Sequence, residues 1–331
     1  MRNKANINFT CKYVDDHLIV SPPRGTPPLD QSPEEVSWRF DKLCETLGIV
    51  QKEEKRLGPD TTMLYLGIEL DTIDMVARLS SEKLADLLSE VDRILGLENI
   101  SLRGVQRFLG LLNWVCMVVF AGRAFLSRII ELVRVAKSNS ISTLRILPET
   151  RQVLLWWKRF LPSYNGVSFF LEYEWTHAVD FGVETDACNF GAGGFWGPHY
   201  FFERFDENTK SCSIAVRELI AVFLACKAWA SQWKRKKILF RSDNTAVEAA
   251  VNKRRVKDRT LMAWIRELHL LEALYSFQIR VRYLPGKQNV LADHLSRSRL
   301  GSFRTAFRER FQSDPDAFPT SVRIPDLSTR I

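Results

Sequence analysis

TDACNFGAGGFWG, residues 185–197, reads as the end of one strand, a tight turn and a second strand, with Asp186 at the first strand's end. Apolar and β-branched residues run from Phe181 to Ala187, then Asn189 supplies turn chemistry before Gly191 to Gly197. His199 to Phe205 continues the pattern as a third strand. Downstream, Ile214 to about Lys234 forms a long helix. Lys237 to Ser242 is a fourth strand, apolar on both faces and therefore central. Helices at Asn244 to Asn252 and Thr260 to Tyr275 precede a fifth strand, Gln278 to Leu284, and a last helix, Asn289 to Ser296.

Four carboxylates fall at the corners of this order. Asp186 ends the first strand and Asp243 follows the fourth. If those strands are parallel neighbours, both acids emerge at one sheet edge, where open α/β sheets build their sites. Glu218, one turn into the long helix, can reach that edge, and the Pro285-Gly286 turn returns the chain to carry Asp293 there. Four such acids repel one another and take up protons unless a cation neutralises them. Two Mg²⁺ ions about 3.5–4 Å apart, with Mn²⁺ as an alternative, solve this and suit phosphodiester displacement. Oxygen ligands favour Mg²⁺ over softer metals. Taken singly, each acid also reads as a surface charge or a cap. Asp243 could start a helix, and Glu218 could face a helix dipole.

With RELIAVFLACKAW (217–229), SDNTAVEAAVN (242–252) and LPGKQNVLADHLSR (284–297), the opening segment resembles the ribonuclease H domain of retroelement reverse transcriptases, over about 120 residues. The resemblance implies a five-stranded mixed sheet with flanking helices. It also implies catalytic, metal-binding roles for Asp186, Glu218, Asp243 and Asp293, and an RNA–DNA hybrid as substrate. Gly286-Lys287-Gln288-Asn289 stands where cellular relatives often carry a histidine, and His294 has no assigned role.

Upstream, Asn6 to Val20 reads as a hairpin around Tyr13-Val14-Asp15-Asp16, followed by a proline-rich connection and a helix from Pro33 to about Leu47, stopped by Gly48. Met63 to Leu70 and Met75 to Leu79 read as a second hairpin-like pair. Ser80 or Ser81 caps a helix carrying Leu84, Leu87, Leu88 and Val91; Ser101 caps another, broken near Gly122. Residues 137–143 are a polar linker, and a helix near Glu149 to Phe160 carries Trp156-Trp157, read as packing residues. YVDD resembles the reverse transcriptase hairpin whose aspartates, here Asp15 and Asp16, hold metals. LGIEL (66–70) resembles the primer-gripping hairpin, and residues 84–130, including GLLNWV and GRAFLSRI, resemble thumb and connection. A palm requires a further aspartate on an earlier strand, and residues 1–14 hold none. The resemblance, closest to DIRS-type elements, therefore implies a truncated, inactive polymerase remnant that lacks an N-terminal reverse transcriptase segment. The expected organisation is a palm remnant (1–79), a helical thumb/connection (80–165), a ribonuclease H-like domain (170–299) and an extended or disordered tail (300–331). Residues 1 to about 75 are expected to pack more loosely than the nuclease half.

The chain has 331 residues, 46% of them apolar, and a net charge of +8. That leaves room for two or three cored domains and favours a polyanionic partner. Lys234-Arg235-Lys236 and Lys253-Arg254-Arg255 are candidate phosphate contacts, with solvated loops as the plainer reading. Asn189 and Asn244, beside the acids, are candidates for recognising RNA 2′-hydroxyls. Six unpaired-looking cysteines, no signal peptide and no spanning segment point to an intracellular protein away from membranes. Two alternatives to a hybrid-cutting nuclease remain: a non-catalytic nucleic-acid-binding remnant, and one part of a reverse transcriptase completed by a missing fingers/palm segment.

Overall fold

The structure, a computed structural model, describes residues 9–13, 16–22, 32–164, 168–169, 175–176 and 182–317. Asp15, Phe181 and the tail beyond 317 lie outside the described residues. Compactness divides the chain into two units, Met1–Met75 and Val76–Ile331.

In the first unit, β1 (Phe9–Tyr13) pairs antiparallel with β2 (Asp16–Val20), Tyr13 opposite Asp16. Helix α1 (Pro33–Thr46) begins with Ser32 accepting from the Glu35 N–H, has proline at its first position and places Glu34 and Glu35 in its first turn. Strands β3 (Thr62–Tyr65) and β4 (Ile68–Asp71) form a hairpin of their own. The expected strand over 63–70 is thus folded in two. Leu66 and Gly67 both have positive φ, 52° and 81°, as a two-residue hairpin turn demands. Among the described residues of this unit, only Val36, Cys44, Ile68 and Asp71 are buried, while Val50, Leu57 and Ile73 are exposed. Its core is thin.

The second unit opens with β5 (Val76–Leu79), paired antiparallel with β8 (Ser168–Phe169). Between them lie α2 (Ser81–Leu95), β6 (Asn99–Ser101), α3 (Leu102–Val115), α4 (Ser127–Ser138), β7 (Thr143–Arg145) and α5 (Pro148–Tyr164). Ser80 and Ser101 cap α2 and α3 through their hydroxyls, as the sequence implies. The helix expected to run to Gly122 stops at Val115. Gly122 serves a different purpose: a β-carbon there would come within 2.2 Å of the Trp157 ring. Trp157 is fully buried, and Trp156 stacks on Phe125 and Phe160, so both tryptophans are packing residues.

The main sheet is built from β9 (Val183–Ala187), β10 (Gly191–Trp196), β11 (His199–Arg204), β12 (Lys237–Ser242), β13 (Gln278–Tyr283) and the short β14 (Asp316–Ala317), in the order β13-β12-β9-β10-β11-β14. The first three form an antiparallel meander; β12 runs parallel to β9 and to β13. The short helix α6 (Glu207–Lys210) precedes α7 (Ile214–Trp229), which is followed by α8 (Thr245–Lys253), α9 (Arg259–Tyr275), α10 (Val290–Ser296) and α11 (Leu300–Phe311). Side chains alternate across a strand. Accordingly Trp196 meets Trp229 of α7, whereas Phe195 meets Phe303 and Phe307 of α11. The sheet is sandwiched between α7 with α9 and α10 with α11.

Helix α11 corrects the expected extended tail over Leu300–Phe311. Leu300, Phe303, Phe307 and Phe311 recur at helical spacing, and Phe303 and Phe307 pack on Phe195, Tyr200, Leu291 and Leu295. Arg310 then reaches the buried carboxylate of Glu184 in the central strand with two hydrogen bonds, 2.8 and 3.1 Å. Removing one partner of such a pair strands a charge in the interior. Arg310→Met should therefore destabilise the chain by about 2–4 kcal/mol in urea denaturation, and adding Glu184→Gln should recover most of that loss. Equal stability of wild type and Arg310→Met would show that the Arg310–Glu184 pair contributes nothing.

Candidate active site

The register of β9 against β12 places the first two acids. Phe240 lies opposite Val183 and Arg241 opposite Glu184, so the same parallel register carried forward sets Asp243 beside Asp186. This is also where the sheet reverses its strand order, the position at which open sheets leave a crevice. Glu218 enters from the second turn of α7, whose cap is the Ser213 hydroxyl. Its Oε1 accepts a hydrogen bond from the Ala187 N–H at 3.2 Å. Ligand oxygens of Asp186, Glu218 and Asp243 all lie within 4.8 Å of one another.

Asp293 is not in that group. Its Oδ1 accepts from Arg297 Nε at 2.6 Å, one turn along α10. Its charge is still felt by the others, raising the pKa of both Asp186 and Asp243. Two further residues, which sequence reasoning missed, hold the site together. The Ser296 hydroxyl donates to Asp186 Oδ2. Buried Asn289 donates from Nδ2 to the Thr185 carbonyl at 3.0 Å, tying the segment before α10 to β9. A lone asparagine before a helix and a single serine hydroxyl within it carry no signal of this kind in sequence. The glycines do: a β-carbon on Gly193 would come within 2.4 Å of Leu295, so α10 lies directly on β10. One on Gly286 would come within 2.9 Å of Asp243 Oδ2, which keeps the returning turn close to the acids.

Burial makes this group electrostatically costly. It pushes the Asp186 carboxyl up to about 6, against the Ser296 hydrogen bond and with help from the charges of Asp243 and Asp293. Burial likewise raises Glu218 well above the usual carboxylate range, reinforced by Asp186 and Asp243. Asp243 is raised too, mainly by burial. Glu218 Oε2 is shielded from solvent with no hydrogen-bond partner. An unpartnered carboxylate oxygen facing two other carboxylates fits a divalent cation with oxygen ligands.

Of the other expected residues, the two asparagines are engaged close to the acids and the basic residues lie away from them. Asn244 caps α8, its Oδ1 accepting from Ala246 and Val247. Asn189 Oδ1 accepts from Arg217 at 2.8 Å. Lys234, Arg235 and Lys236 precede β12, whose six residues place them roughly 20 Å along the strand from Asp243. Lys253 ends α8 and Arg255 follows it, both exposed. Arg254 is not a free phosphate contact. It pairs at 3.2 Å with buried Glu272, which also accepts from the Ile279 N–H and pairs with His269. Asp16 ends the β1–β2 pairing in the first unit, and its neighbour Asp15 is outside the described residues. No helix among the described residues is long and apolar enough to cross a membrane.

No protein-family model and no curated protein matches the sequence. Solved structures do match. The foamy viral protease-reverse transcriptase dRH in complex with double-stranded DNA is 15% identical, with a TM-score of 0.40, covering 84% of this chain and 46% of that one. The foamy viral protease-reverse transcriptase with an RNA/DNA hybrid is 14% identical, with a TM-score of 0.36, covering 84% and 36%. The same protein with double-stranded DNA is 15% identical, with a TM-score of 0.36, covering 85% and 56%. The chain thus spans about a third to just over a half of the length of these structures, and such TM-scores are too low to transfer the role of any residue.

A carboxyl that keeps its proton to about 6 when folded, but only to its ordinary range when unfolded, makes the folded state bind more protons between those limits. The stability it contributes is therefore full at low pH and is lost as pH rises through about 6. Asp186→Asn should make the metal-free chain more stable than wild type at pH 7, by at most about 3 kcal/mol, and this gain should vanish near pH 4. Urea denaturation in EDTA across that range measures it. Stability curves offset by a constant at all pH values would contradict the burial argument.

Proposed function

We propose that this chain is a divalent-metal-dependent nuclease of the ribonuclease H type that cuts the RNA strand of an RNA–DNA hybrid. The observation carrying this reading is the meeting of Asp186, Glu218 and Asp243 within 4.8 Å, with Glu218 Oε2 buried and unpartnered. The strand order and the four sequence segments support a retroelement reverse transcriptase/ribonuclease H lineage, DIRS-type in its LSR ending (295–297) and basic tail. Nucleotide transfer forms no part of the proposal.

Asp186, Glu218 and Asp243 would hold the ions, with Asp293 as a fourth ligand once it leaves Arg297. Two Mg²⁺ ions, or Mn²⁺, would supply an activated water and a neutralised leaving oxygen for an in-line displacement. The protein's own work is positional. The Ala187 N–H orients Glu218, Ser296 orients Asp186, and the parallel strand pair keeps Asp186 and Asp243 at a constant separation. Asp186 and Glu218 are buried and Asp243 is the most open of the three, so a strand would approach from the Asp243 side.

A labelled RNA–DNA hybrid should be cut by the purified chain with Mg²⁺ or Mn²⁺ and left intact in EDTA. Asp186→Asn should lower the rate by about a thousandfold or more, since it removes a shared metal ligand, and Asp293→Asn by about ten- to a hundredfold. Hybrid binding should survive in both variants. Cleavage that persists in EDTA, or full activity in Asp186→Asn, would defeat the proposal. Metal and hybrid binding without turnover would favour the non-catalytic remnant.

A further inference from the structure

Arg217 precedes Glu218 on α7 and faces the turn between β9 and β10. Its Nη1 donates to Asn189 Oδ1 at 2.8 Å. Its Nε is shielded from solvent and has no hydrogen-bond partner. Among the described residues Arg217 forms no ion pair, and its charge is felt by the adjacent Glu218. A guanidinium only donates, so the carbonyl side of the Asn189 amide must face it. The amide nitrogen is thereby left as a donor on the exposed side.

The next residue, Phe190, is 67% exposed. Its backbone is nevertheless held on both sides: its N–H donates to Cys188 Sγ at 3.3 Å, and its carbonyl accepts from Phe205 at 2.9 Å. An aromatic ring is thus presented to solvent from a turn whose backbone is committed. A half-buried guanidinium without an ion-pair partner, an outward amide donor and an exposed ring match a ligand with anionic acceptor oxygens next to a planar or apolar ring. A nucleic-acid strand has both at every nucleotide.

We infer that Arg217, Asn189 and Phe190 form a positioning clamp for the strand entering the acid cluster. Arg217 and the Asn189 amide hold the phosphate beside the one that is cut, and Phe190 packs on the adjoining sugar or base. This rests on the nuclease reading for its substrate, and the three are positioning residues. The competing account is that Arg217 merely offsets the charge of its acidic neighbours.

Fluorescence anisotropy of a labelled hybrid on the full chain in EDTA, where turnover is absent, separates the two. Arg217→Ala, Asn189→Ala and Phe190→Ala should each weaken binding about tenfold. Arg217→Lys should bind as weakly as Arg217→Ala, because it keeps the charge but loses the fork. Thermal midpoints should stay within a few degrees of wild type, and Mn²⁺ affinity, read by titration calorimetry, within about twofold. With Mg²⁺, KM should rise while kcat changes little. Wild-type hybrid affinity in the three alanine variants would overturn the clamp. So would full recovery of affinity in Arg217→Lys, or a fall in kcat together with an altered Mn²⁺ affinity. If wild type binds hybrid without cutting it and the variants lose that binding, the clamp stands and the nuclease reading falls.

Discussion

Three carboxylates are held close together in a partly dry corner, and much of the second unit can be understood as what keeps them there. Left to themselves, Asp186, Glu218 and Asp243 would separate or protonate, and burial already drives their pKa values upward. What opposes this is the parallel pairing of β9 with β12, which sets one acid beside another through backbone hydrogen bonds that no side-chain charge can easily disrupt. Helix α7, buried on nearly every side, gives Glu218 no freedom to withdraw. A divalent cation is the simplest way to make the arrangement favourable, and the unpartnered Glu218 oxygen is the most direct sign of that need.

The same central strand carries a second acid on the same face, and it is treated in the opposite way. Glu184 lies two residues before Asp186 and is as deeply buried, yet Arg310 meets it with a bidentate fork. One carboxylate is neutralised within the chain and the other is left unneutralised. Arg310 comes from α11, so the C-terminal segment helps to define which acid of β9 remains available. Burial of Phe303 and Phe307 against Phe195 and Leu295 holds α11 in place, and α10, carrying Ser296 and Asp293, lies beneath it. The site and the tail are mechanically linked.

Arginine appears in three distinct states in this molecule. Arg254 and Arg310 are spent on buried carboxylates. Arg266, buried against Phe125, donates to the Ala124 carbonyl and the Ser127 hydroxyl and ties α9 to the start of α4 and the segment before it. Arg217 alone of these four keeps a shielded donor without a partner, and it does so next to the acids. A basic composition is therefore a poor guide to which cations meet a ligand. Neighbouring residues, not net charge, decide it.

The sequence by itself determined the order of the five main strands and the principal helices between residues 183 and 296, because apolar periodicity and turn residues are local properties. Lys237–Ser242 was legible as a central strand to the residue, and the serine caps of α2 and α3 were equally plain. Asp186, Glu218 and Asp243 could be named because each sits at the end of an element or one turn into it, where topology decides where it points. Tertiary structure alone decided the rest. Asp293 pairs with Arg297, a side-chain contact that spacing does not reveal. Arg254 was claimed by a glutamate on the following helix. The helix over Leu300–Phe311 had its phenylalanines at helical spacing in plain view, but the prolines after it masked the signal, and its stability comes from a sheet face more than a hundred residues earlier in the chain. Ser296 and Asn289 acquire their roles only because glycines at 193 and 286 let separate segments approach more closely than any other residue would allow.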